Sequence, residues 1–151
     1  MTADTSGLTE AMAEVVSDFN ELPSSERLNL LLEFSTELPA LPERYAEHPD
    51  LLEPVPECQS PIFLIVDVEG TGDDATVHLH FSAPPEAPTT RGFAGILHEG
   101  LDGSSAREVV DTPNDLPGLL ALNDLVSPLR LRGMAGMLGR IKRQTTQKAG
   151  L

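Results

Sequence analysis

One side chain in this sequence has chemistry that its neighbours lack. Cys58 is the sole cysteine among 151 residues. It sits in Leu51-Leu52-Glu53-Pro54-Val55-Pro56-Glu57-Cys58-Gln59-Ser60-Pro61, where the prolines leave little room for regular structure. A thiolate attacks another sulfur and can carry it as a persulfide. Such a carrier gains from having no second cysteine nearby, because a resolving thiol would release the cargo as sulfide. The same thiol also fits a plainer role, since free cysteine commonly packs as a small buried hydrophobe. Placement alone leaves both readings open. One cysteine does exclude an internal disulfide framework and a cysteine-only metal or iron–sulfur site within one chain. A lone thiol suits the reducing cytoplasm, which is the expected location.

His78 and His80 form the other candidate pair. On a strand, residues two apart share a face, so both imidazoles could reach one ion. No convincing third ligand accompanies them, and a wet strand face accounts for both, so no metal is expected. Tyr45 and His48 are given no catalytic role.

These residues must be held by a framework. Residues 1–7 and 144–151 are expected to fray. Leu8, Met12, Val15, Val16 and Phe19 recur at helical spacing and predict a helix over about 8–20. Pro23-Ser24-Ser25-Glu26 starts a second helix, with Ser24 as its N-cap and Leu28, Leu31, Leu32, Ser35 and Leu38 on one face. Pro39 and Pro42 stop it. The run Ile62–Val68 reads as a strand. Gly70-Thr71-Gly72-Asp73-Asp74 is a turn, and Val77, Leu79 and Phe81 alternate with polar residues in a second strand. The two strands predict an antiparallel hairpin. A helix is expected to follow Arg91-Gly92, with Phe93, Ile96 and Leu97 inward and Gly100 at its end. Ser104 can cap a short helix through Val110. Leu116–Leu122 supplies more helical apolar surface. Met134, Met137, Leu138 and Ile141 make the core stripe of a last helix after Pro128. The order helices, hairpin, helices predicts one α+β domain, with a small antiparallel sheet packed against several helices.

Charge narrows the function. There are 24 acidic and 10 basic residues, giving −14. All 24 acids precede Ser127, opposed there by Arg27, Arg44, Arg91 and Arg107 alone, so residues 1–126 carry −20. The last 25 residues hold Arg130, Arg132, Arg140, Lys142, Arg143 and Lys148 and no acid. An acidic body binds phosphate backbones poorly. The basic end reads as helix C-terminal charge complementing the macrodipole, in preference to a nucleic-acid tail. With aromatics at 4% and no Trp, stacking platforms are not expected either. No apolar run approaches the roughly 20 residues of a bilayer span, and no basic-then-apolar leader opens the chain. Neither nucleic acid nor membrane is an expected partner.

Five ordered pieces carry a family resemblance. They are Glu26-Arg27 with Leu31-Leu32, then Leu38-Pro39-Ala40-Leu41-Pro42-Glu43-Arg44-Tyr45, then Val55-Pro56-Glu57-Cys58-Gln59-Ser60. Arg91-Gly92-Phe93 and Leu125-Val126-Ser127-Pro128-Leu129-Arg130-Leu131-Arg132-Gly133-Met134 complete the set. Together they cover about residues 24–143 and resemble the SufE family of sulfur-acceptor, or cysteine desulfuration, proteins. Cys-Gln-Ser alone would be weak; five pieces in order are specific. Two departures stand out. Glu57 replaces the usual Gly, losing tolerance of positive φ and adding a carboxylate that should raise the thiol pKa. Leu119-Leu120-Ala121-Leu122 lacks the usual Leu-Gly-Leu.

The resemblance implies an α+β fold similar to the IscU scaffold. It implies that Cys58 takes sulfur from a pyridoxal-phosphate-dependent, SufS-type cysteine desulfurase, stimulates that enzyme, and passes the sulfur to an iron–sulfur scaffold. Pyridoxal phosphate would belong to the partner, and this chain would bind no cofactor. Independent enzyme activity is not expected. Arg130 is implied to lie near the cysteine loop, where its guanidinium could stabilise a thiolate or persulfide anion; an ordinary helix N-terminal salt bridge is the alternative. Gln59 and Ser60 could support the loop by side-chain hydrogen bonds or simply make turns. Arg91 matches a motif position and is expected to bind a loop or an acid. Other functions stay open at this stage: a noncatalytic adaptor for a desulfurase or scaffold, or a carrier fed by a rhodanese-type sulfurtransferase. A homodimer is compatible with the sequence, which does not fix the oligomeric state.

Overall fold

Residues 5–151 are described by a computed structural model, in which six helices accompany a three-stranded antiparallel sheet. The expected fraying of residues 1–7 lies outside the described residues at positions 1–4; residues 5–8 make a turn closed by Leu8 N–H donating to Thr5 O. Helix α1 spans Glu10–Glu21, and Thr9 caps it by accepting from Met12 N–H at 3.0 Å. Met12, Val15, Val16 and Phe19 are its buried stripe.

Helix α2 spans Ser24–Glu37 and corrects two expectations. Pro23 holds the cap position and no side chain caps the helix, because Ser24 is already its first helical residue. The buried face is Leu31, Phe34, Ser35 and Leu38; Leu28 and Leu32 remain 39% and 42% exposed. The stripe is rotated by its partner. Helix α4, Pro88–Leu101, presses its glycines against α2, and a Cβ at Gly92 would stand 2.5 Å from Leu31 O. Backbone-to-backbone approach of this kind chooses the face that hydropathy alone leaves ambiguous.

The proline-rich segment is more regular than expected. It holds the one-turn helix α3 (Glu43–Ala46), a 3₁₀ turn at Pro49–Leu51 and the two-residue strand β1 (Glu53–Pro54). Proline tolerates such edge positions because its missing N–H is not needed there. β1 pairs with β2 (Phe63–Glu69), and β2 pairs with β3 (Thr76–Ser82) in the register Val66↔Leu79. The expected hairpin is therefore present, with Leu64, Val66, Val77, Leu79 and Phe81 facing the core.

Later boundaries shift too. Helix α4 begins at Pro88, where the ring's fixed φ suits a first helical position, rather than after Arg91-Gly92. Gly100 lies inside α4 against Met12, and the helix ends before Asp102. Ser105, not Ser104, caps α5 (Ala106–Val110), because only Ser105 has Glu108 three residues on to complete a capping box. Leu116–Leu120 is a 3₁₀ turn that ends at left-handed Ala121.

Helix α6 runs from Pro128 to Ala149 and buries Met134, Met137, Leu138 and Ile141 as expected. It continues through the stretch expected to fray, and Gln144, Thr145 and Ala149 are buried. The reason is the sheet edge. β1 is too short to cover all of β2, so Gln144 Oε1 accepts Val66 N–H at 2.9 Å and Lys148 Nζ donates to Val66 O at 2.5 Å. The basic end of the chain is thus mostly spent on contacts with the acidic body, only Lys148 lying in the last turn.

Candidate functional site

Cys58 lies on the turn between β1 and β2. Val55 N–H donates to Ile62 O at 2.9 Å, and Cys58 N–H donates to Val55 O at 3.1 Å. The turn rests on α6, whose surface is notched to receive it. A Cβ at Gly133 would lie 2.9 Å from Cys58 Sγ, and one at Gly136 would lie 2.7 Å from Glu57 Oε2. Both would be tighter than any normal contact, so a side chain at either place would have to push the Cys58 or Glu57 side chain aside.

One turn further along α6, Arg140 Nη1 donates to Glu57 Oε2 at 2.7 Å and to Gly136 O at 3.0 Å. Its Nε stands 3.3 Å from Glu53 Oε2, without an aligned hydrogen bond. Glu53 is itself held by Arg143 and by Gln144 Nε2 at 2.8 Å. The carboxylates of Glu53, at the entry to the loop, and of Glu57, beside the thiol, are therefore both tied to α6.

The electrostatics oppose thiolate formation. Burial, and then the adjacent Glu57 carboxylate, push the Cys58 thiol up to about 11, with Arg140 pulling weakly the other way. The Arg140 hydrogen bond holds Glu57 below the usual carboxylate range. Cys58 is half-buried and faces a cavity of about 50 Å³ that it shares with Gln59, Ser60, Thr90, Leu129 and Arg130.

The expected site residues thus divide. Arg130 does share the Cys58 cavity, its backbone N–H donating to Ser127 Oγ at 3.3 Å. Among the described residues its guanidinium forms no ion pair, so the helix N-terminal salt bridge is absent. Gln59 and Ser60 make no side-chain hydrogen bond among the described residues; backbone bonds and the Glu57–Arg140 pair hold the loop instead. Arg91 supports a different loop. Its Nη1 donates to Ala83 O at 2.6 Å and its Nε to Ser35 O at 3.3 Å, joining the β3–α4 connection to α2. Arg140, Gly133 and Gly136 were missed, although positions 133, 136 and 140 recur at the spacing that shares one helix face.

The histidines belong to a separate groove of about 320 Å³ bounded by Arg44, Asp67, His78, His80, His98 and Asp102. His80 Nε2 lies 3.0 Å from Asp67 Oδ2, while His78 lies 3.7 Å from Asp102 and 3.8 Å from Glu69. His80 is hydrogen-bonded to Asp67, His78 and His98 share Asp102 at 3.7 Å, and among the described residues no group of three or more His, Cys, Asp or Glu side chains could hold a metal ion. Tyr45 O–H and Arg44 also donate to Asp67. Among the described residues no helix is long and apolar enough to cross a membrane.

Comparison with known proteins adds independent findings. A family model described as SufE, an Fe–S metabolism associated domain, matches residues 13–145. Two uncharacterized SufE-like proteins, from two strains of Mycobacterium tuberculosis, are each 57% identical over 144 residues, covering 95% of this chain and 96% of theirs. The solution structure of a hypothetical protein from Thermus thermophilus matches with a TM-score of 0.79 at 35% identity, covering 95% of this chain and 99% of that one.

Proposed function

The chain belongs to the SufE family, whose domain is associated with Fe–S metabolism, and on that premise we propose that Cys58 is a sulfur acceptor. The donor is the persulfide of a pyridoxal-phosphate-dependent cysteine desulfurase, and the cofactor resides there. Cys58 thiolate attacks the outer sulfur of that persulfide. A new sulfur–sulfur bond forms at Cys58 as the donor's sulfur–sulfur bond breaks, and the donor cysteine leaves as its thiolate with the bonding electrons. No net oxidation occurs. Clearing the donor's persulfide stimulates its turnover, and Cys58 hands the sulfur on to iron–sulfur assembly in a reducing cytoplasm.

One observation carries the reading: the chain's sole thiol lines a small cavity to which Arg130, a cation with no ion-pair partner among the described residues, also contributes. Arg130 is available to stabilise the developing anion, which the raised thiol pKa makes necessary. The cavity is far smaller than ordinary organic-ligand pockets, which suits a small cargo rather than an organic substrate.

Intact mass spectrometry after incubation with a cognate desulfurase, pyridoxal phosphate and cysteine, without reductant, tests this. The expected result is a gain of sulfur mapped to Cys58 and absent from Cys58→Ser. If Cys58→Ser stimulates the desulfurase as well as the native chain does, the protein is a binding adaptor and the acceptor reading is wrong. If sulfur loads only from a rhodanese-type donor, the acceptor chemistry stands and the partner changes.

A further inference from the structure

Glu57 sits one residue before the thiol, and its carboxylate lies in the notch that Gly136 leaves in α6. Among the described residues, no other side chain between Val55 and Pro61 makes a hydrogen bond or ion pair to the rest of the protein. Two backbone hydrogen bonds within the turn and this one partly buried pair are its polar restraints. The cation at the other end has two carboxylates within reach. Arg140 gives Nη1 to Glu57, while its buried Nε, 3.3 Å from Glu53 Oε2, has no hydrogen-bond partner. A small rotation of the guanidinium would exchange Glu57 for Glu53. Releasing Glu57 then strands no buried charge: the carboxylate returns to water, and Arg140 keeps an anion beside it.

We propose that Arg140 is a positioning residue, which with Glu57 latches the Cys58 loop against α6 so that a donor reaches the thiol only when the latch opens. The purpose of the latch rests on the sulfur-acceptor reading; its existence does not. In the latched state Sγ packs against Gly133 and the thiol is half-buried, which limits its contact with solvent reductants and electrophiles. The charged groups around it are Glu57 on the loop, Glu53 on β1, and Arg130, Arg140 and Arg143 on α6. A docking partner that offers Glu57 another cation, or Arg140 another anion, would open the loop by exchange of ion pairs.

Removal of Arg140 separates a latch from simple electrostatics because the two predict opposite signs. If Arg140 only tunes the thiol by its charge, Arg140→Gln strips a cation from the thiolate and slows Cys58 alkylation. If it latches the loop, the same change raises the open population and speeds alkylation. Iodoacetamide labelling of the full chain at pH 8, followed by intact mass, is the readout, with no desulfurase present. The latch predicts an acceleration of about five- to tenfold, the worth of one ordinary hydrogen bond, since both partners are partly exposed. The double variant Glu57→Gln with Arg140→Gln should be no faster than the faster single variant, since both break one bond. Gly136→Ala is a second route that alters no charge. Its Cβ crowds the Glu57 carboxylate off Arg140, and a melting temperature no lower than that of the native chain excludes unfolding as the source of an acceleration. An unchanged or slower rate in either Arg140→Gln or Gly136→Ala overturns the proposal; should Arg140→Gln fail to fold, Gly136→Ala alone decides. Sulfur loading of the native chain is scored separately: a chain that never loads refutes the acceptor reading and leaves the latch standing.

Discussion

Raising the pH should reveal how strongly the fold suppresses the Cys58 thiolate. The thiol is shifted from an ordinary value of 9.0 to about 11, first by burial and then by Glu57. Two units correspond to about a hundredfold less thiolate at pH 8. The native chain should therefore react with iodoacetamide roughly a hundredfold more slowly at pH 8 than the same chain in denaturant, which serves as its own reference. Between pH 7 and about 10 the logarithm of the native rate should rise by about one per pH unit without levelling, while the denatured rate levels near its ordinary value. Stability carries the same signature. A thiol whose folded pKa is raised adds stability that is complete below the unfolded value and lost as pH rises from 9.0 towards about 11. Native chain should therefore lose stability relative to Cys58→Ser across that window and hold it constant below. A native labelling rate that levels near pH 9, within about threefold of the denatured rate, would refute the reasoning.

Three other expectations follow from the packing. Gly92→Ala sets a Cβ 2.5 Å from Leu31 O, and backbone cannot yield there, so the variant should lose about 3 kcal/mol or more and melt roughly 6–12 °C lower; an unchanged melting temperature would contradict the close crossing of α2 and α4. Burial pushes Asp67 up, but hydrogen bonds from Tyr45, Arg44 and His80 outweigh it and hold the carboxyl below its usual range. Its stability is present above its ordinary value of 3.8 and lost as pH falls through the lowered folded value, so the deficit of Asp67→Asn in urea unfolding should be steady near neutrality and shrink below about pH 4. A deficit that grew in acid would reverse that sign. Ser105→Ala removes the side-chain half of the α5 capping box, leaving the Ser105 N–H bond to Glu108, and should cost about 1 kcal/mol, or roughly 2–4 °C in a thermal melt.

The sequence by itself carried the features whose physical cause is local or periodic. The α6 stripe of Met134, Met137, Leu138 and Ile141 and the alternation of Val77, Leu79 and Phe81 were legible, because a helix or strand with one wet face must repeat its apolar residues at its own period. The ordered motifs carried the family, and the lone Cys58 carried the proposed chemistry. Tertiary structure decided what depends on a neighbour distant in the chain. Whether Phe34 or Leu28 is buried on α2 was settled by the glycine face of α4. Whether residues 144–149 are ordered was settled by the uncovered edge of β2. Glu57, read alone, is a charge beside a thiol; joined to Arg140, 83 positions away, it is also the tie that holds the loop. An ion pair between such remote positions has no period in the sequence. It exists only once α6 has been laid against the sheet by the burial of its opposite face.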